Sequence, residues 1–73
     1  MNKFNKGDKV HYICGRKENG IVKSISSNGQ IFFVVYHCGN DWENYENYTG
    51  AATDIDDLDA GWVSDAITIS NEL

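Results

Sequence analysis

The chain contains no proline, two cysteines and a single methionine in 73 residues. Its two cysteines can form one bridge at most, which excludes the small disulfide-dense domains. The longest apolar run, residues 31–36, is far shorter than the ~20 residues that a membrane-spanning helix needs. The N-terminus also lacks the apolar stretch of a secretory signal. We therefore expect one domain, residues 1–73, in the cytoplasm and without a membrane segment.

Lysine and arginine are absent from residues 37–73, which carry nine acidic residues. Residues 1–36 carry all six Lys and Arg against two acids, a net charge of +4 (6 − 2), so the two halves sum to −5 (4 − 9). Such a division of charge can steer a charged partner toward one side of a protein. The alternative is that the two halves interleave in the fold, so that their fields average out.

Patterns that would indicate catalysis or metal binding do not occur. There is no GxSxG, P-loop or HExxH motif. The two histidines and two cysteines lack the paired spacing of a zinc site, and the acids of residues 54–59 lack the glycine and glutamate that a calcium loop requires. We therefore expect neither an enzyme nor a bound metal or cofactor.

Strand patterns dominate the chain. The predicted elements are strands over residues 9–13, 21–26, 31–37 and 48–55, a 3₁₀ turn over 56–61, and a last strand or short helix over 62–69. Asn28-Gly29 lies between two β-rich runs and predicts a type I′ hairpin, because both central residues of that turn need positive φ. Asn19-Gly20 predicts the end of a polar loop. The apolar run from residue 31 predicts a central strand that is buried on both faces.

The order of glycine turns and apolar alternation resembles the SH3-like small barrels of the Tudor and KOW kind. The resemblance is carried by Gly7-Asp8-x-Val10, Gly20-Ile21-Val22-x-x-Ile25, Ile31-x-x-Val34-Val35-Tyr36 and Thr53-x-Ile55-x-x-Leu58-x-x-Gly61. It implies an all-β fold, a small five-stranded SH3-like barrel with a short 3₁₀ turn or helix near the C-terminus. The framework would cover residues 6–37 and 48–62, with an aromatic-acidic insert over 38–48. The chain also resembles small phage and prophage proteins, which are short and rich in asparagine.

Residues 41–49, here called the aromatic-acidic segment, carry Trp42, Tyr45 and Tyr48 at a spacing of three. The rings would share a face on a helical turn and could converge in a loop, whereas a strand would set Tyr45 opposite the other two. Rings beside acids can hold a cationic group or stack on a nucleobase. Alternatively, Trp42 and Tyr48 cover the open end of a barrel. The predicted binding residues are Asp41, Trp42, Glu43, Tyr45, Tyr48 and Thr49.

SH3-like barrels mostly bind other molecules, so the resemblance implies a binding module. The first hypothesis is a phage-type protein that docks a host protein, through a basic or aromatic patch of that partner, on the aromatic-acidic segment. The second is a binder of a nucleotide-like or cationic small molecule. The third is contact with RNA or the ribosome through the basic N-terminal half, which the net charge of −5 disfavours. An exposed edge strand would also permit a homo-oligomer.

Overall fold

The computed structural model describes residues 3–66, and within them five strands form one antiparallel sheet, which confirms the all-β prediction. The elements are, in chain order, β1 (Lys9–Tyr12), β2 (Glu18–Ile25), β3 (Ile31–Val35), the 3₁₀ segment η1 (Trp42–Asn47), β4 (Ala51–Asp54), the 3₁₀ turn η2 (Ile55–Asp57) and β5 (Leu58–Ala60). The strand order across the sheet is β4-β3-β2-β1-β5. No helix in this part of the chain is long and apolar enough to cross a bilayer.

The sheet is curled, because a very short link joins its two edges. A flat sheet of five strands would hold its edge strands about 19 Å apart. Only the three residues of η2 separate β4 from β5, and a 3₁₀ link of that length spans about 8 Å. Hydrogen bonds hold η2 on both sides: Ile55 N–H donates to the Gln30 carbonyl at 2.8 Å and Ile13 N–H to the Asp57 carbonyl at 2.9 Å. Within residues 3–66 no ladder between β4 and β5 closes the sheet.

The inner face of the curl carries the hydrophobic core. Its buried members are Phe4, Val10, Val22, Phe32, Val34 and Leu58. They come from β1, β2, β3, β5 and the N-terminal segment, and the rings of Phe4 and Phe32 meet edge to face at 5.7 Å. β3 lies between β2 and β4, and its adjacent residues Val34 and Val35 are both fully buried, as expected for a central strand.

The hairpin between β2 and β3 lies where Asn28-Gly29 predicts it, but its turn is not type I′. Gly29 has a φ of 74°, whereas within residues 3–66 the one non-glycine residue with positive φ is Asn40. The turn closes with Gly29 N–H donating to the Ser26 carbonyl at 2.9 Å. The Asn28 carboxamide oxygen accepts from the Ser26 hydroxyl and from Gln30 N–H. Asn28 thus serves as a side-chain acceptor within a longer loop.

The elements after β4 follow the predicted order, a 3₁₀ turn and then a last strand, but their predicted positions are wrong. The 3₁₀ turn spans Ile55–Asp57, and the fifth strand is Leu58–Ala60, which pairs with β1. The turn starts at once after β4 because the Asp54 carboxylate accepts from Asp56 N–H at 2.9 Å. Residues 62–66 form neither strand nor helix, and residues 67–69 lie outside the described part of the chain. The prediction that Asn19-Gly20 ends a loop is also wrong, since this dipeptide lies inside β2.

Candidate functional site

The aromatic-acidic segment covers the outer face of the sheet. Lys9, Ile21 and Val35 form one row across β1, β2 and β3. Because their neighbours Val22 and Val34 belong to the core, Ile21 and Val35 point to the opposite face. Both are buried, and η1 packs against β2 on that side. The segment is therefore a second layer over the sheet.

The three aromatic residues of the segment lie against three different neighbours. η1 has a kink at Asn44 (φ −112°, ψ 31°), which interrupts the repeat that would align residues three apart. Trp42 packs on Trp62, with ring centroids 4.8 Å apart. Tyr45 reaches the Gly7 turn, and Tyr48 faces the end of β3. The spacing of three therefore does not place the rings side by side.

Trp62 is the anchor of the outer layer. Its indole Nε1 donates to the Gly20 carbonyl at 2.8 Å, and the Lys9 ammonium lies 4.6 Å from its ring centroid. The ring is thus fixed to β2, packed at a tilt against Trp42 and flanked by a cation. Sequence reasoning placed Trp62 in a terminal element and missed this contact, because the two tryptophans are far apart in the chain.

Polar contacts bind the acidic half of the chain to the basic half. The Lys6 ammonium lies 2.6 Å from the Glu46 carboxylate, and the Lys23 ammonium donates to the Tyr48 carbonyl at 2.6 Å. The hydrogen bond with Lys6 lowers the pKa of Glu46. Both side chains of that pair are more than half exposed, so the pair adds little stability. The two halves therefore interleave, and part of the charge division cancels locally.

Asp41 positions Tyr48. Its carboxylate accepts from the Tyr48 hydroxyl at 2.8 Å and from the Asn44 amide at 2.9 Å. The hydrogen bond to this carboxylate raises the pKa of Tyr48, because it favours the protonated phenol. Asp41 is thus a positioning residue for the aromatic ring.

Tyr48 and Thr49 border a groove at the open end of the curled sheet, here called the tyrosine groove. It consists of two adjoining depressions of about 350 Å³ each. Tyr36, His37 and Ala51 line both. The first depression is also lined by Val34, Tyr48 and Thr49, and the second by Tyr12, Glu18, Ala52 and Thr53.

The walls of the groove are fixed by ring contacts and hydrogen bonds. Tyr12 and Tyr36 meet edge to face at 6.3 Å, and the Tyr36 hydroxyl lies 2.9 Å from the hydroxyl of buried Thr53. His37 Nε2 lies 3.1 Å from a Glu18 carboxylate oxygen. Burial raises the pKa of Tyr36. The groove thus combines fixed aromatic rings with one half-buried acid.

Sequence reasoning found part of this groove. Tyr48 and Thr49 line it and Asp41 acts through Tyr48, whereas Trp42, Tyr45 and exposed Glu43 lie outside its lining. Their part in binding stays a prediction. The missed lining residues are Tyr12, Glu18, Tyr36 and His37. The signal for the two tyrosines was present, since they follow the core residues Val10 and Val34 by two positions and so continue the same face past the core.

The groove tyrosines predict a loss of stability at alkaline pH. The pKa values of Tyr12, Tyr36 and Tyr48 are raised above the ordinary 10.0, by a hydrogen bond with Cys14, by burial and by the bond to Asp41, respectively. The folded protein therefore retains phenol protons that the unfolded chain loses above pH 10.0. This contribution is complete below that pH and disappears as the pH rises through the folded-state pKa values, so the free energy of unfolding should fall there.

Urea denaturation followed by circular dichroism, from neutral pH upward, measures that fall. Lys6, whose pKa is raised by Glu46, contributes with the same sign, so Tyr36→Phe is the variant that isolates a phenol. Its stability should fall less steeply above pH 10.0 than that of the parent. If the free energy of unfolding falls equally steeply with pH in both proteins, Tyr36 does not contribute to the loss of stability at alkaline pH.

Comparison with known proteins finds no matching family model, no matching curated protein and no matching solved structure. Within residues 3–66, no three His, Cys, Asp or Glu side chains come together as metal ligands. The function must therefore be argued from the geometry of the groove.

Proposed function

We propose that the domain is a non-catalytic binding module that docks a basic segment of a protein partner in the tyrosine groove. One observation carries the proposal: three half-exposed tyrosines and the carboxylate of Glu18 line a single groove next to the acidic segment. A Lys or Arg side chain fits this chemistry, because rings attract a cation and a carboxylate neutralises it.

The size of the groove and the energy of a cation–ring contact favour a docking site for one or two basic side chains. A cation over an aromatic face gains roughly 0.5–2 kcal/mol, depending on how far it is desolvated. The net charge of −5 adds long-range attraction for a basic partner, and Asp41 and Glu43 extend the negative charge beside Tyr48. The aromatic-acidic segment then contributes the rim of the groove.

The architecture that we propose is an SH3-like barrel. The order β4-β3-β2-β1-β5, and the 3₁₀ turn between β4 and β5, support it. Domains of that kind mostly bind and seldom catalyse, which fits the module proposed above. If the chain is of phage type, as its composition indicates, the partner would be a host protein.

Contact with RNA is less well supported. Of the cations in the N-terminal half, Lys6 and Lys17 are ion-paired with Glu46 and Asp65, and Lys9 lies over Trp62. These contacts reduce the positive surface that phosphate binding needs.

A titration with small probes tests the proposal. N-acetyl-arginine amide, followed by heteronuclear NMR, should shift resonances of the groove residues with a dissociation constant in the millimolar range. N-acetyl-citrulline amide, which has a similar shape without the charge, should bind several-fold more weakly. Equal binding of both probes, or shifts confined to other surfaces, would contradict the proposal.

Two tyrosine variants give a matched pair. Tyr48→Leu removes a ring that lines the groove and should weaken binding of the arginine probe several-fold. Tyr45→Leu should leave binding of that probe unchanged. If Tyr45→Leu alone weakens binding, the cation binds on the outer layer instead of in the groove.

A further inference from the structure

We propose that β4 is a self-association edge, which pairs antiparallel with β4 of a second copy of this chain around a twofold axis at Ala52. The inference concerns another feature than the ligand of the tyrosine groove and does not depend on the proposed function. It rests on the backbone groups of β4, on its side chains, and on the charges that the pairing brings together.

The hydrogen-bond pattern shows which backbone groups of β4 face outward. Ile55 N–H donates to the Gln30 carbonyl, and the register pairs Phe32 with Thr53 and Phe33 with Ala52. In an antiparallel ladder, alternate residues bond to the same neighbour. Thr53, two residues before Ile55, therefore bonds to β3, and the N–H and C=O groups of Ala52 point away from the sheet. The next outward residue is Asp54.

The side chains of β4 leave this edge open. Edge strands are usually protected by lysine, proline, a bulge or an inward charge. β4 reads Ala-Ala-Thr-Asp, with Gly50 directly before it, so four small, uncharged residues precede its first charge. Its register with β3 is regular over all four residues. A second strand can therefore approach without a steric or electrostatic barrier at its centre.

Charge selects the register. Pairing Ala52 with Ala52 of the second copy lets the two residues exchange both hydrogen bonds and sets Asp54 opposite Gly50. A shift that centres the axis on Asp54 would oppose two carboxylates, which is destabilising. The register centred on Ala52 is therefore the one that avoids a like-charge contact while keeping the longest overlap.

The same register brings Asp54 toward a cation of the second copy. Asp54 and Gly50 both lie on the outer face, since Thr53 points to the buried side. The Lys23 ammonium lies on that face too, bonded to the Tyr48 carbonyl two residues before Gly50. Neither Lys23 nor Asp54 forms a salt bridge within residues 3–66, and Glu46, the carboxylate whose pKa Lys23 helps to lower, is paired with Lys6. In this register we therefore expect Asp54 of each copy to approach Lys23 of the other.

Sedimentation equilibrium over a concentration series tests the pairing. The apparent mass should rise from 8.2 kDa toward twice that value as the concentration approaches about 1 mM. Ala52→Pro removes an outward N–H that makes no hydrogen bond to β3, so the domain should still fold. The apparent mass should then stay at that of the monomer. A parent chain that stays monomeric throughout would overturn the proposal.

Ala60→Pro is the matched control on the opposite edge. Gly61 N–H donates to the Lys9 carbonyl, so the backbone groups of Ala60 face outward on β5, as those of Ala52 do on β4. The Ala60 N–H donates to the Asp59 carboxylate at 2.9 Å, so this variant also removes one local hydrogen bond. This variant should dimerise like the parent. If Ala60→Pro abolishes dimerisation and Ala52→Pro does not, the interface lies on β5 and the proposal is overturned.

Cross-linking measures the register directly. A hydrogen-bonded pair has Cα atoms about 5.5 Å apart, which a disulfide can span. In a Cys14→Ser background, which removes the exposed native thiol, Ala52→Cys should give a disulfide dimer under mild oxidation. Asp54→Cys should give much less. Equal cross-linking at both positions would contradict the register.

Discussion

Val34→Asp is expected to unfold the domain at room temperature. Val34 is fully buried in the central strand, where it faces the core beside Phe32 and pairs with Val22. A carboxylate there would be desolvated without a partner, at a cost of several kcal/mol even if it becomes protonated. Stabilities of small domains lie at about 5 kcal/mol or above, and a chain of this size is near the lower end.

Circular dichroism and urea denaturation measure the loss. Ser24→Asp, at an exposed position of the adjacent strand β2, introduces the same charge without burial and should stay within about 0.5 kcal/mol of the parent. A cooperative transition of Val34→Asp close to that of the parent would show that β3 does not hold the core.

Gly20→Ala should destabilise the domain by about 1–3 kcal/mol, the usual cost of overpacking. An added Cβ would lie 2.5 Å from Val34 Cγ1 and 2.9 Å from Tyr36 Cδ1. The backbone of Gly20 is not in the left-handed region, so the requirement for glycine here is one of space. For a domain of this length the melting temperature should fall by about 4–8 °C per kcal/mol.

The double variant Gly20→Ala, Val34→Ala tests the cause. Val34→Ala alone leaves a cavity, but together with Gly20→Ala it removes the methyl group in the closest clash. The losses in the free energy of unfolding of the two single variants should therefore sum to more than the loss in the double variant. Strict additivity would mean that the clash is relieved elsewhere, and Ser24→Ala is the neutral control in the same strand.

The middle of the sheet was predictable because its pattern is local. Val10 and Tyr12 alternate with Lys9 and His11, and the apolar run from residue 31 identifies the central strand without any tertiary information. β5 was not predictable, since a segment of three residues, Leu58 to Ala60, is too short to establish a period of its own. That segment is a strand because it pairs with the edge of β1, and this pairing forms only in the folded protein.

The site was predictable where it depends on composition and not where it depends on contacts. Residues 41–49 were identified as unusual because they are dense in rings and acids. Their arrangement depends on the kink at Asn44 and on Trp62, some twenty residues further on. Tyr12 and Tyr36 meet only after β1, β2 and β3 have paired, so no local pattern could assign them to one groove.

The pairing of β5 with β1 also bears on how the chain folds. His11 Nδ1 lies 2.8 Å from the Gly61 carbonyl oxygen, a contact across 50 positions of the sequence. The β1–β2 and β2–β3 hairpins need only short loops, whereas this closure requires nearly the whole chain and its loop entropy. We therefore expect β5 to dock late, in the millisecond-to-second range typical of sheets with distant partners. Until then the outer edge of β1 is open, and the β1–β2–β3 meander is the species that must avoid aggregation.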